Sequence, residues 1–221
     1  MNLALFDLDN TLLAGDSDHA WGEFLANTGV VDGVEYRRRN DAYYEQYKAG
    51  TLDVIEFQCF VMEPLARLSR AELDGLHTRF MAECIAPMML PQARALVRKH
   101  LDAGDLCAVV TATNAFVVAP IVRQLGIPHL IATIPAQENG RFTGQPRGIP
   151  AFQKGKIARV EAWLESLALN WQSFAQSHFY SDSLNDLPLL ECVTHPVAVD
   201  PDPTLRAKAT ERGWPVVSLR A

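Results

Sequence analysis

The first apolar run, Leu3–Phe6, is short and unbroken, the signature of a strand buried on both faces. It runs straight into Asp7, Leu8, Asp9, Asn10 and Thr11 before Leu12 and Leu13 restore apolar character. From 14 to 86 the rhythm is helical and no strand is evident. Asp16, Ser17 or Asp18 can cap a helix that buries Trp21, Phe24 and Leu25 and stops at Thr28 and Gly29. A second helix carries Tyr36, Tyr43, Tyr44 and Tyr47 and ends at Gly50; a third is expected over 54–62, broken by Pro64. Ser69 and Glu72 form a capping box ahead of a fourth, with Leu73, Leu76 and Phe80 on one face.

From 87 onward, strands and helices alternate. A helix with Leu96, Val97 and Leu101 stops at Gly104, and 106–110 is a buried strand ending in Thr111, Ala112, Thr113 and Asn114. A helix through Val117, Ile121 and Leu125 reaches Gly126, with Pro120 starting its regular part or kinking it. Asn139-Gly140 marks a hairpin between two extended runs. Lys156 falls in the first turn of a helix bearing Ile157, Val160, Leu164 and Leu167. The strand 178–181 ends in Asp182, Ser183, Leu184, Asn185 and Asp186, Pro188 suits the start of the next helix, and 196–199 and 215–219 read as the last strands. The expected fold is α/β: a Rossmann-like three-layer core with a parallel central sheet, formed by 1–13 and 87–221, and an inserted helical cap, 14–86. The joins near Gly15 and Pro87 are plausible hinges.

Composition changes this picture little. With 221 residues, 48% hydrophobic and 21% charged, the chain is ordinary globular material, large enough for a full core. The 26 acidic residues outnumber the 20 basic ones, and the only basic cluster is 37–39, a solvated helix face. That balance argues against nucleic acid or an acidic membrane as partner. Cys59, Cys84, Cys107 and Cys192 are far apart among apolar neighbours and read as reduced core thiols. No secretion signal or membrane-length apolar stretch is evident, so a cytoplasmic location is expected, as monomer or homodimer.

Three strands thus end in polar sets at the same topological position, and a parallel sheet brings such ends to one edge. In isolation, Asp7 to Thr11 would suit an Asx turn leaving a strand. Together with Thr111, Lys156, Asp182 and Asp186 the set has the parts for phosphoryl transfer through a covalent aspartate. A carboxylate approaching a phosphate dianion needs a divalent cation, a fixed ammonium and dipole donors to offset the repulsion. Asp7 and Asp182 offer hard oxygens suited to Mg²⁺, and Lys156 and Thr111 can neutralise and orient the phosphate. Asp16, Asp18 and His19 look like a metal cluster, but a capped helix start explains them better, and the remaining histidines show no ligand spacing.

Asp7-x-Asp9-x-Thr11, strand-end Thr111, Gly155-Lys156 and Asp182-x-x-Asn185-Asp186, in this order, resemble the haloacid dehalogenase superfamily of phosphohydrolases over nearly the whole chain. The resemblance implies Asp7 as nucleophile, Asp9 as general acid and base, and phosphate binding by Thr111, Ala112 and Lys156. It also implies Mg²⁺ held by Asp7, the Asp9 carbonyl and Asp182, with Asn185 and Asp186 supporting the metal and its waters. The helical insertion is similar to the C1-type cap of the phosphoserine phosphatase-like branch, subfamily IB. Asp16 stands nine positions after Asp7, where that branch carries the acidic residue that binds a substrate ammonium.

The aromatic and arginine positions that hold the phosphoserine carboxylate align with Val54 and Val61, and Thr-Ala-Thr-Asn replaces Ser-Gly-Gly. That form resembles the branch that includes histidinol-phosphate phosphatases. The expected substrate is therefore a small amino-alcohol phosphate, histidinol phosphate ahead of phosphoserine, with Asp16, Asp18 and Asn114 as specificity residues. A phosphotransferase would use the same residues, and a receiver-type signalling domain shares the aspartates and lysine but lacks an insertion.

Overall fold

The computed structural model describes residues 1–220. A seven-stranded sheet runs in the order β4-β3-β2-β1-β5-β6-β7. Its strands are β1 (Leu3–Phe6), β2 (Leu106–Asn114), β3 (His129–Glu138), β4 (Arg141–Arg147), β5 (Ser177–Ser181), β6 (His195–Val199) and β7 (Val216–Val217). All neighbours are parallel except β3 and β4, which form the Asn139-Gly140 hairpin with both residues at positive φ. β1 is central and all four of its side chains are fully buried, as its unbroken apolar run requires.

Register then sets the site. Phe6 pairs with Val109 on one side and Tyr180 on the other, so Asp7, Thr111 and Asp182 leave the sheet at one edge. The β2–β3 pairing slips between Thr111 and Asn114, leaving Ala112 and Thr113 as an unpaired bulge. A bulge bends its strand and re-aims side chains. Here it directs these two residues into the site.

Helices α1 (Ser17–Asn27), α2 (Gly33–Ala49), α3 (Val54–Arg67) and α4 (Arg70–Phe80) form the insertion, and a π-turn and a 3-10 turn lead into α5 (Pro91–Asp102). Aspartates 16, 32 and 53 cap α1 to α3, and the Ser69–Glu72 box caps α4. The third helix runs past the expected break: Pro64 removes one amide donor, but the buried flanking Met62 and Leu65 keep the helix seated through Arg67. α3 lies against the hairpin, where a Cβ on Gly144 would come within 3.4 Å of Ala66. The entry and exit of the insertion are paired, by a Leu13–Met89 bridge and an Ala14 amide donating to Met88 at 2.8 Å.

The remaining helices are α6 (Ala115–Leu125), α7 (Lys154–Ser166), α8 (Leu187–Leu190) and α9 (Pro203–Arg212). Pro120 sits inside α6, and α9, which the polar spacing of 203–212 conceals, packs only Leu205 and Ala209 into the core. The cysteines are all free, but they are not all core thiols: Cys107 is buried, Cys59 and Cys84 are half-buried, and Cys192 is exposed at a helix end. No helix among the described residues is long and apolar enough to cross a membrane.

Candidate active site

Lys156 is the electrostatic centre of the strand edge. Its Nζ lies 2.8 Å from Asp7 Oδ1 and 2.7 Å from Asp186 Oδ2, and all three side chains are buried. Gly155 makes this placement possible: a Cβ there would lie 2.2 Å from the Pro150 carbonyl, so no other residue lets α7 start so close to that loop. Burial pulls the Lys156 ammonium down, but the charges of Asp186 and Asp7 more than offset this and hold it above its ordinary value. Ser181 also donates to Asp186 Oδ2 at 2.7 Å.

Asp7 is pushed well above the usual carboxylate range by burial, eased by Lys156 and reinforced by Asp186 and Asp182. Asp182 is raised to about 7, again chiefly by burial, against a hydrogen bond from Thr11. The Thr11 hydroxyl donates to Asp182 Oδ1 at 3.0 Å and accepts from the Asp182 amide at 3.1 Å, so it ties the β1 and β5 loops together. Two buried carboxylates, Asp7 and Asp186, therefore share one ammonium, with the half-buried Asp182 beside them. That donor set fits a hard divalent cation. Among the described residues no three His, Cys, Asp or Glu side chains converge to hold a metal unaided, so backbone oxygen and water would complete a shell begun by Asp7 and Asp182.

The folded Asp182 value of about 7 lies above the ordinary 3.8, so its contribution is full below pH 4 and is lost as pH rises through about 7. In EDTA the melting temperature is expected to fall across that window relative to the Asp182→Asn variant. Parallel melting curves for the two proteins from pH 4 to 8 would contradict this.

Asp9 faces the other way, toward the insertion. Its Oδ1 accepts from the Ser17 amide at 2.7 Å, in the first turn of α1, and its Oδ2 from Thr113 Oγ1 at 2.8 Å and Thr111 Oγ1 at 3.4 Å. Thr113 gave no signal in the sequence, because only the bulge turns it toward Asp9. Thr113→Val is expected to lower kcat by about 10- to 100-fold, the worth of a hydrogen bond to a charged group, and Thr113→Ser to restore most of it. An unchanged kcat in Thr113→Val would show that this bond does not position Asp9.

Above these groups is a pocket walled by Asp16, Asp18, His19, Tyr43, Tyr44, Tyr47, Phe57, Gln58 and Phe152, with Asp7, Asp9, Thr111, Ala112 and Lys156 at its base. Asp16 caps α1, accepting from the Asp18 and His19 amides at 2.9 Å, and still lines the pocket. Burial, then the charge of Asp9, raises its carboxyl to about 6. Asp18 is raised well above the usual range, first by burial and then by Asp16 and Asp9. No arginine lines this pocket among the described residues. Arg67 and Arg70 pair with Glu63 and Asp74 on the surface.

Two expected site residues are used differently. Asn114 is fully buried as the cap of α6, its Oδ1 accepting from the Val117 amide at 3.2 Å, and it does not line the pocket. Asn185 spends its amide on the Tyr47 carbonyl at 3.0 Å and on Gln153 at 3.1 Å, so it joins core to insertion.

A family model described as haloacid dehalogenase-like hydrolase matches residues 4–191, which include every strand-end group above. The chain belongs to this family. Among haloacid dehalogenase-like proteins it is similar to a histidinol-phosphatase of Neisseria meningitidis serogroup C (strain 8013), 45% identical over 99% of both chains. It is also similar to the phosphoserine phosphatase SerB1 of Mycobacterium tuberculosis (strain ATCC 25618 / H37Rv), 34% identical over 98% of this chain and 70% of that protein. A crystal structure of a protein of unknown function from Bordetella pertussis Tohama I has a TM-score of 0.94 and 52% identity, covering 99% of this chain and 98% of that one.

Proposed function

We propose that the chain is a phosphomonoesterase of amino-acid biosynthesis that hydrolyses histidinol phosphate through an aspartyl-phosphate intermediate on Asp7, with Mg²⁺ as cofactor. One observation carries the choice of substrate: the pocket above Asp7 is walled by two carboxylates and several aromatic rings and has no arginine among its described lining residues. Such a wall suits an ammonium and a flat heterocycle. A phosphoserine carboxylate would face Asp16 and Asp18 without its best partner. Full-length similarity to the Neisseria histidinol-phosphatase supports the same reading.

In this mechanism the Asp7 carboxylate attacks phosphorus in line with the ester oxygen. Lys156, the strand-end Thr111 and the bulge residue Ala112 orient the phosphoryl oxygens. Asp9, held by Thr113 and Ser17, gives its proton to the departing alkoxide and later takes one from the water that cleaves the acyl phosphate. Mg²⁺ held by Asp7, Asp182 and the Asp9 carbonyl would neutralise charge on the transferring group. Asp186 would steady that site through Lys156, while Asn185 holds the insertion against it through Tyr47.

Residues 14–86 act as a cap over a core of 1–13 and 87–221, excluding bulk water while the phosphoryl group passes from substrate to Asp7 and reopening for the water that completes hydrolysis. The paired joins at Leu13–Met89 support a rigid-body motion of that unit. Four free thiols suit a cytoplasmic location.

The test is phosphate release from histidinol phosphate, phosphoserine, phosphoethanolamine and a sugar phosphate, with Mg²⁺ and with EDTA. Preference for histidinol phosphate and silence in EDTA are expected. Preference for phosphoserine would overturn the substrate assignment. Transfer to an added alcohol in place of release would make the chain a phosphotransferase.

A further inference from the structure

Gln58 lies in the middle of α3 and is wholly buried, an unusual place for a glutamine. Its Nε2 donates to the Ala112 carbonyl at 3.1 Å, across the boundary between insertion and core. A carbonyl only accepts, so this bond fixes which end of the amide faces the core. The free end is therefore the acceptor, Oε1, and it is buried with no partner. An unpaired buried oxygen is costly and calls for a donor. Asp18 repeats the pattern: its Oδ1 is buried and unpartnered, and both residues line the substrate pocket. Asp16 differs, because its Oδ1 is taken by the amides of the first turn of α1.

Two unfilled acceptors thus stand in one pocket with Tyr43, Tyr44 and Phe57 as its flat walls. We propose that Gln58 is a specificity-determining residue that, together with Asp18, accepts N–H bonds from the substrate's ring in its protonated, two-donor imidazolium form. The inference rests on the histidinol phosphate reading and goes beyond it, since it assigns the ring's protonation state and its partners. Beside an ionised Asp18, the form that a neighbouring cation favours, a neutral imidazole offers one donor and one acceptor, and its bare nitrogen would leave one of the two oxygens unpaired. An imidazolium satisfies both. A carboxylate in the same place would meet two more oxygens, which adds a repulsive element against phosphoserine. Because Gln58 comes from the insertion and Ala112 from the core, one side chain also links ring recognition to the docked arrangement of the two.

The experiment compares wild type and Gln58→Met on histidinol phosphate and on 2-amino-3-phenylpropyl phosphate, which keeps the amine and phosphate but has no ring N–H. Wild type is expected to favour the imidazole compound by at least about 100-fold in kcat/KM, as sites built around hydrogen bonds do. In Gln58→Met that preference is expected to shrink about tenfold or more, mainly through a higher KM for histidinol phosphate. An unchanged preference would overturn the assignment, and so would an equal loss on both compounds, which is what a purely structural glutamine would give. Wild type that prefers histidinol phosphate to phosphoserine yet treats the two rings alike would refute the ring contacts and spare the substrate reading. Wild type that is inactive on histidinol phosphate but active on another phosphate would refute both.

Discussion

Asp7→Asn is expected to lower kcat on the order of 10⁴-fold or more and to abolish the acid-stable labelled phosphoenzyme that wild type accumulates with ³²P substrate. The amide keeps the shape of the carboxylate and loses the negative charge that makes its oxygen a nucleophile. The fold should survive, because burial first, and then the charges of Asp186 and Asp182, already disfavour an ionised Asp7, and a neutral amide removes that penalty. The melting temperature of metal-free Asp7→Asn is therefore expected to equal or exceed that of wild type. Residual label or near-normal turnover in a variant of verified mass would end the covalent mechanism. A large drop in melting temperature would show that the Asp7–Lys156 pair stabilises the fold more than the crowding destabilises it.

Lys156→Met is expected to have the largest combined effect on activity and stability. Its ammonium is the only cation within 3 Å of Asp7 and Asp186 among the described groups, with contacts of 2.8 and 2.7 Å, and the side chain is only 3% exposed. Removing one partner of a buried charge network strands the others and costs about 3–5 kcal/mol. In a chain of this size that corresponds to a fall of very roughly 10 °C in melting temperature at neutral pH. The loss should shrink toward pH 5, where Asp182, raised to about 7, and Asp7 take up protons and no longer need a counter-charge. Turnover is expected to fall at least about 10³-fold, because the phosphoryl group loses its fixed cation. Melting curves at pH 5 and 7.5 with phosphate-release rates check both effects. A destabilisation independent of pH would mean that Lys156 matters through packing alone.

Much of this site was legible in the sequence because its parts sit at the ends of unbroken apolar runs. Leu3–Phe6 could only be a buried strand, and the residues that leave such a strand must emerge at the sheet edge beside those of its parallel neighbours. That logic places Asp7, Thr111 and Asp182 together. Lys156 was legible as a first-turn helix residue. Its pairing with Asp7 and Asp186 was not, since it depends on Gly155 letting α7 start against the Pro150 carbonyl.

Thr113 and Gln58 carried no signal. The first is turned into the site by a register slip between two strands, and the second acts through one hydrogen bond across 54 residues of chain. Asn114 misled for the converse reason. Its place in a polar strand-end run suggested ligand contact, whereas the next helix needed a cap and took its side chain. Pro64 misled as well: a proline ends an isolated helix, but packing of Met62 and Leu65 outweighs one missing hydrogen bond.

The sequence by itself determined the order of elements, the edge of the sheet where chemistry gathers and the kinds of group delivered there. These follow from local rules: apolar period, caps, turn residues and the polarity of strand ends. Tertiary structure alone decided which oxygen faces which donor. It left Asp18 and Gln58 with unspent acceptors, committed Asn185 to joining core and insertion, and aimed Asp9 at the cap. Those outcomes depend on register, bulge and helix docking between segments far apart in the chain, where shifts of about an ångström decide whether a hydrogen bond exists.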